Sequence, residues 1–187
     1  MASSPTSWRR WLPAGVDAEI VIREATDADL SAIVDILNVE IAESPYVYAE
    51  VPVTLEERRA WLAAHRAASL PVLIAQSTED QAVIGWAALS PYRPSSGYRF
   101  TAELSVYVAR AAQRRGTGAA LVRALIDIAE GGRGVHALVG SVDADNTPSL
   151  QLLERFGFVE VARLPEVGFK FGKWRTHLLV LRPSSAN

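Results

Sequence analysis

The chain has 187 residues, 49% of them hydrophobic, which suits one well-cored domain rather than two small ones. Its formal net charge of -2 gives no electrostatic case for nucleic acid or an anionic membrane. With no cysteine, a disulfide framework, a thiolate zinc site and a cysteine acyl intermediate are all excluded, and a reducing cytoplasm is compatible.

Residues 1–18, rich in Ser, Pro and Ala, read as an extension with little structure of its own. The alternative is that Trp8, Trp11 and Leu12 dock onto the domain or a partner subunit. No apolar run from Met1 to Val16 is long enough for a signal-peptide core, and nothing approaches a membrane span, so the reading is a soluble cytoplasmic protein. The domain is expected over 19–182, with 183–187 as a tail.

A short strand is expected at Glu19 to Arg23. Thr26-Asp27-Ala28-Asp29 then reads as a capping signal, and Leu30, Ile33, Val34, Leu37 and Ile41 follow at helical spacing. Ser44-Pro45 ends that helix. A second capping box at Thr54 to Glu57 opens a helix carrying Trp61, Leu62 and His65. Pro71–Ala75 and Ala82–Leu89, joined by the polar turn Ser77 to Asp80, read as a hairpin, and Phe100–Val108 as a further strand. Gly116–Glu130 is helical, and Val135–Val142 returns as a strand. Thr147 reads as an N-cap with Pro148 at the first position of a helix that runs to Phe156 before Gly157 stops it. Strands at 159–169 and 174–181 close the chain. The order β-α-α-β-β-β-α-β-α-β-β is a mixed α/β sheet.

The segment Gln113-Arg114-Arg115-Gly116-Thr117-Gly118-Ala119 lies between strand 100–108 and a helix. A helix start offers unpaired N–H donors and the positive end of the macrodipole, small residues allow close approach to the backbone, and two arginines add cationic reach. A dinucleotide fingerprint fails because Leu121 stands where a third Gly or Ala is needed. A P-loop fails because Ala119 follows Gly118.

The remaining pattern, Gln/Arg-x-x-Gly-x-Gly/Ala at a strand-to-helix junction, resembles the coenzyme A site of the GNAT acetyltransferases. Tyr98 to Val108 with the glycine loop, Asn146-Thr147-Pro148-Ser149 with Glu154 to Phe158, and Gly168 to Trp174 are similar, in order and spacing, to the phosphinothricin acetyltransferase family. The resemblance covers roughly 19–182. It implies a GNAT fold whose central sheet is splayed at the acetyl-CoA site, with acetyl passing directly from acetyl-CoA to an amine in a ternary complex.

It also implies residue roles. Glu103 stands at the family's general-base position, and strand alternation puts Thr101, Glu103, Ser105 and Tyr107 on one face. The competing reading of Glu103 is an ion-paired structural carboxylate. Backbone N–H groups around Val106, Tyr107 and Val108 are the expected donors to the thioester carbonyl. Tyr107 is the candidate acid for the leaving thiolate, or else a core tyrosine. Asn146 and Ser149 match coenzyme-contacting positions or cap a helix.

Arg93, Tyr98, Tyr48 and Ser105 are the expected acceptor-pocket residues. The chain departs from the family at Leu153, where an acid is usual, and at Ser95 and Thr176, where herbicide-detoxifying members carry Arg and Asp. The acceptor is therefore expected to be a small amino acid or analogue of the methionine sulfone or sulfoximine type. A peptide N-terminus, a polyamine or an aminoglycoside stays open, as does a non-catalytic acyl-CoA sensor. The three histidines share no metal-ligand spacing, so no metal is expected, and they read as surface or packed residues. Trp86 and Trp174 read as core. The family implies a homodimer.

Overall fold

The computed structural model describes residues 20–131 and 134–183; the expected N-terminal extension, Glu19 and Ser184 to Asn187 lie outside the described residues. Seven strands form one sheet: β1 (Ile20–Glu24), β2 (Val72–Ser77), β3 (Val83–Pro91), β4 (Thr101–Val108), β5 (Ala137–Asp143), β6 (Val159–Lys170) and β7 (Lys173–Pro183). Their spatial order is β1-β2-β3-β4-β5-β7-β6. Among the described residues only β4 and β5 run parallel. The described residues also form four α-helices, α1 (Leu30–Glu43), α2 (Leu55–Ala67), α3 (Thr117–Glu130) and α4 (Thr147–Glu154).

Both capping boxes form. Thr26 N–H and Oγ donate to Asp29 Oδ2 at 2.7 and 2.9 Å, and Thr54 N–H donates to Glu57 Oε2 at 2.7 Å while Thr54 Oγ accepts from Glu57 N–H at 3.2 Å. These bonds satisfy helix-start donors that would otherwise lack partners. The final helix ends at Glu154, two residues before the expected Phe156, with Gly157 at φ 81° closing the turn. The β6–β7 hairpin turns on Phe171 (φ 49°) and Gly172 (φ 75°), the left-handed pair that a two-residue hairpin loop needs.

Alternation on the central strands divides the core in two. Leu73, Ala75, Ala87, Leu89, Ala102 and Leu104 point to the α3 side, against Leu121, Leu125 and Leu153. Val72, Ile74, Trp86 and Ala88 point to the α1 and α2 side, against Ile33, Leu37 and Leu62. Trp86 is core, as expected, at 2% exposure. Trp174 is not: it lies 63% exposed on the β6–β7 hairpin, packed only edge-on against Phe169 at 5.0 Å.

Candidate active site

The parallel pair β4–β5 is joined only over Thr101–Leu104 and Ala137–Gly140; beyond that, β4 stays with β3 and β5 stays with β7. Gly140 stands at this fork because a Cβ there would lie 2.8 Å from Val180 Cγ2 and 3.0 Å from Leu153 Cδ1. Ala109 N–H bonds Ile84 O at 2.9 Å, in register with the β3–β4 ladder. Hydrogen bonding to a neighbouring antiparallel strand alternates along a strand. The odd-numbered residues of β4 therefore bond to β3, and the backbone groups of Val106 and Val108 face the opened gap. One of these is already used: Gln113 Nε2 donates to Val108 O at 3.2 Å.

Arg110–Ala112 forms a short 3-10 turn, and Arg114 (φ 61°) and Gly116 (φ 84°) take left-handed conformations before α3 begins at Thr117. Gly116 is the N-cap and supplies no side chain to the first-turn donors. Gln113, Arg114 and Arg115 are exposed at its mouth, while Thr117 is buried. Gly118 is small for packing reasons as well, since a Cβ would sit 3.2 Å from Leu152 Cδ2 of α4. Uncapped donors beside two free guanidinium groups fit a pyrophosphate. Arg110, by contrast, is engaged by Glu40 and Glu43 of α1.

Glu103, Ser105 and Tyr107 share the face of β4 that looks toward α1 and α2. Glu103 is half-buried and makes no hydrogen bond or ion pair with a described residue, so the structural ion-pair reading has no partner here. Directly across β3 stands Ser90. Ser90 Oγ lies 3.0 Å from Nε2 of the buried His65, whose Nδ1 is 2.8 Å from Trp61 O. The carbonyl can only accept, so Nδ1 carries the proton and Ser90 donates to Nε2. Burial lowers the imidazole pKa further, against the hydrogen bond to Trp61.

At the other end of this face, Tyr107 stacks on Trp86 (4.6 Å, 21°), and Trp86 meets Trp61 edge-on at 5.7 Å. Arg58 of α2 lies over both tryptophan rings, 4.4 Å from Trp61 and 5.6 Å from Trp86. Its Nε and Trp86 Nε1 are both shut away without an acceptor. Burial raises the Tyr107 pKa; the nearby Arg58 cation opposes this, and Glu40 and Glu103 add to it.

The other expected residues are placed unevenly. Tyr48 is already engaged: its hydroxyl donates to Asp143 Oδ2 at 2.8 Å, and its ring lies so close to Gly168 that a Cβ there would be 2.4 Å from Tyr48 Cε2. Arg93 and Tyr98 are exposed on the loop before β4, with Arg93 5.1 Å above Tyr92 and 6.0 Å above Tyr98. Asn146 Oδ1 caps α4 by accepting Ser149 N–H at 3.3 Å, at the helix start that follows the end of β5. Leu153 is buried in the core.

Three features escaped the sequence reading: the His65–Ser90 pair, the Arg58 stack and the buried Asp143–Arg175 pair. Only the second had a signal, since Arg58 and Trp61 sit three apart on one helix face. Among the described residues, no three His, Asp or Glu side chains are grouped to hold a metal ion, and no helix is long and apolar enough to cross a membrane.

Comparison with known proteins agrees with this geometry. Residues 33–158 match the family described as Acetyltransferase (GNAT) family. The chain is 37% identical over 153 residues to an L-methionine sulfoximine/L-methionine sulfone acetyltransferase of Pseudomonas paraeruginosa, covering 82% of this chain and 88% of that one. It is 39% identical over 165 residues to a phosphinothricin N-acetyltransferase of Alcaligenes faecalis, covering 88% and 83%. An acetyltransferase of Salmonella typhimurium, solved with its cofactor acetyl-CoA, superposes with a TM-score of 0.86 at 33% identity, covering 90% of this chain and 95% of that one.

Proposed function

This chain belongs to the Acetyltransferase (GNAT) family and is an acyl-CoA N-acyltransferase, and on that premise we propose that it acetylates the α-amino group of a small amino acid or analogue of the methionine sulfone, methionine sulfoximine or phosphinothricin type. The observation that carries the reading is the fork between β4 and β5, with Glu103 on the adjoining face. Acetyl-CoA, when bound, supplies the acetyl group as a thioester.

The chain's own residues do the rest. The uncapped start of α3, with Gln113, Arg114, Arg115, Thr117 and Ala119 around Gly116 and Gly118, holds the pyrophosphate. Asn146 and Ser149 donate to the pantetheine arm. The Val106 and Val108 N–H groups face the carbonyl oxygen, where they stabilise the negative charge that develops as the amine attacks. Glu103 takes the proton from the acceptor amine, directly or through water. The Tyr107 hydroxyl, kept protonated by its raised pKa, gives a proton to the departing thiolate, a role that Leu153 cannot fill.

Ser105, Tyr98 and Arg93 line the acceptor side, with Tyr48 as a fixed wall. A cytoplasmic location fits a reaction that consumes acetyl-CoA. A second copy of the chain fits the β6–β7 hairpin, where Val159, Val161, Val167, Phe169, Phe171 and Trp174 are 46–63% exposed along a long sheet edge. Sedimentation of the protein as a dimer, lost on Trp174→Glu, is expected.

The test of function is thiol release from acetyl-CoA with a panel of amino acids, sulfone and sulfoximine analogues, polyamines and peptides. Turnover with the amino-acid group is expected. Turnover confined to polyamines or peptides, or none despite coenzyme binding, would refute the reading.

A further inference from the structure

We propose that Arg58 is the receptor for the carboxylate of the acceptor amino acid, an assignment that rests on the acceptor class proposed above. Arg23, Arg66, Arg110, Arg163, Arg175 and Arg182 are each paired with a carboxylate. Arg58 is half-buried and has no hydrogen bond or ion pair to any described residue. Its neighbour Glu57 is committed to the capping box of α2. Exposed arginines can satisfy their charge with water; a partly buried one with a sealed Nε has lost that option in part.

Position gives this cation its use. Arg58 lies at the Trp86–Tyr107 end of the acceptor face, and His65, on the same helix, reaches Ser90 opposite Glu103. The seven residues from Arg58 to His65 span roughly 10 Å of helix. The four from Tyr107 to Glu103 span roughly 13 Å of strand. The two elements therefore run alongside each other, and Arg58 and Glu103 flank Ser105 from opposite ends. An α-amino acid carries its amine and carboxylate on one carbon. An acceptor over Ser105 with its amine toward Glu103 turns its carboxylate toward Arg58, whose planar fork suits that group. The stacking on Trp61 and Trp86 holds the guanidinium in place before substrate arrives.

The test compares kcat/KM for methionine sulfone and its carboxamide, by thiol release, in wild type, Arg58→Gln and Arg58→Lys. The wild type is expected to prefer the acid. In Arg58→Gln the acid-to-carboxamide ratio falls roughly 10²-fold, through KM for the acid, with KM for acetyl-CoA little changed. In Arg58→Lys, which keeps the charge but not the fork, it falls roughly 10-fold. If Arg58→Gln does not fold, Arg58→Lys carries the test alone. A ratio equal to that of the wild type in a folded variant, or an equal loss of kcat for both acceptors, would overturn the assignment while leaving the acceptor class intact. No turnover of any amino acid by the wild type would instead overturn the acceptor class.

Discussion

The Tyr48 hydroxyl donates to Asp143 Oδ2 at 2.8 Å, joining the loop after α1 to the end of β5 across 95 residues of sequence. Arg175 grips the same carboxylate with two bonds, of 2.7 and 2.8 Å, and Lys170 Nζ binds the Ile41 and Ala49 carbonyls. The acceptor wall is thus pinned to the half of the sheet that lies beyond the fork.

Asp143→Ala should destabilise the fold by about 2 kcal/mol at pH 7, because it removes the acceptor of Tyr48 and leaves the largely buried Arg175 only the exposed Asp145 carboxylate, 3.2 Å away. Burial alone would raise the Asp143 pKa, but the bonds from Arg175, the Asp145 N–H and Tyr48 outweigh it and bring it below the ordinary carboxylate value. A lowered folded-state pKa contributes stability above the unfolded pKa of ~3.9, and that stability is lost as pH falls through the folded value. Urea unfolding should therefore show the gap between wild type and Asp143→Ala narrowing below about pH 4.

His65 adds a second loss of stability on acidification, at higher pH. Its folded pKa is lowered, chiefly by burial, so the unfolded chain binds the proton first. Stability is full above the unfolded pKa of ~6.5 and declines as pH falls toward the folded value. Urea unfolding of His65→Gln should lack this slope below about pH 6.5. An equal slope in both proteins would assign it to another group.

Arg114→Ala and Arg115→Ala combined should raise KM for acetyl-CoA about 10-fold at low salt, with kcat retained. Both side chains are exposed, so the effect should shrink as ionic strength rises. A loss of kcat without a change in KM would place these residues elsewhere in the reaction.

Local patterns were legible in the sequence because local physics set them. Thr26/Asp29 and Thr54/Glu57 capped the helices they announced, and period-2 alternation on β4 put Glu103, Ser105 and Tyr107 on one face. The glycine loop before α3 could be read from the same short range. What escaped depends on pairs far apart in the chain. No spacing links Tyr48 to Asp143, or His65 to Ser90, and nothing in the sequence around Trp174 tells an exposed hairpin tryptophan from a core one. At Arg58 helix spacing points only to Trp61; Trp86, from β3, completes the stack and comes from 28 residues away.

Glu103, beside the β4–β5 fork, is the proposed base for acetyl transfer, and thiol-release kinetics of Glu103→Gln against wild type near neutral pH measure that role. A fall in kcat/KM for the amino-acid acceptor of roughly 10²–10⁴, with acetyl-CoA affinity nearly unchanged, is predicted. A rate equal to wild type would remove Glu103 from the chemistry.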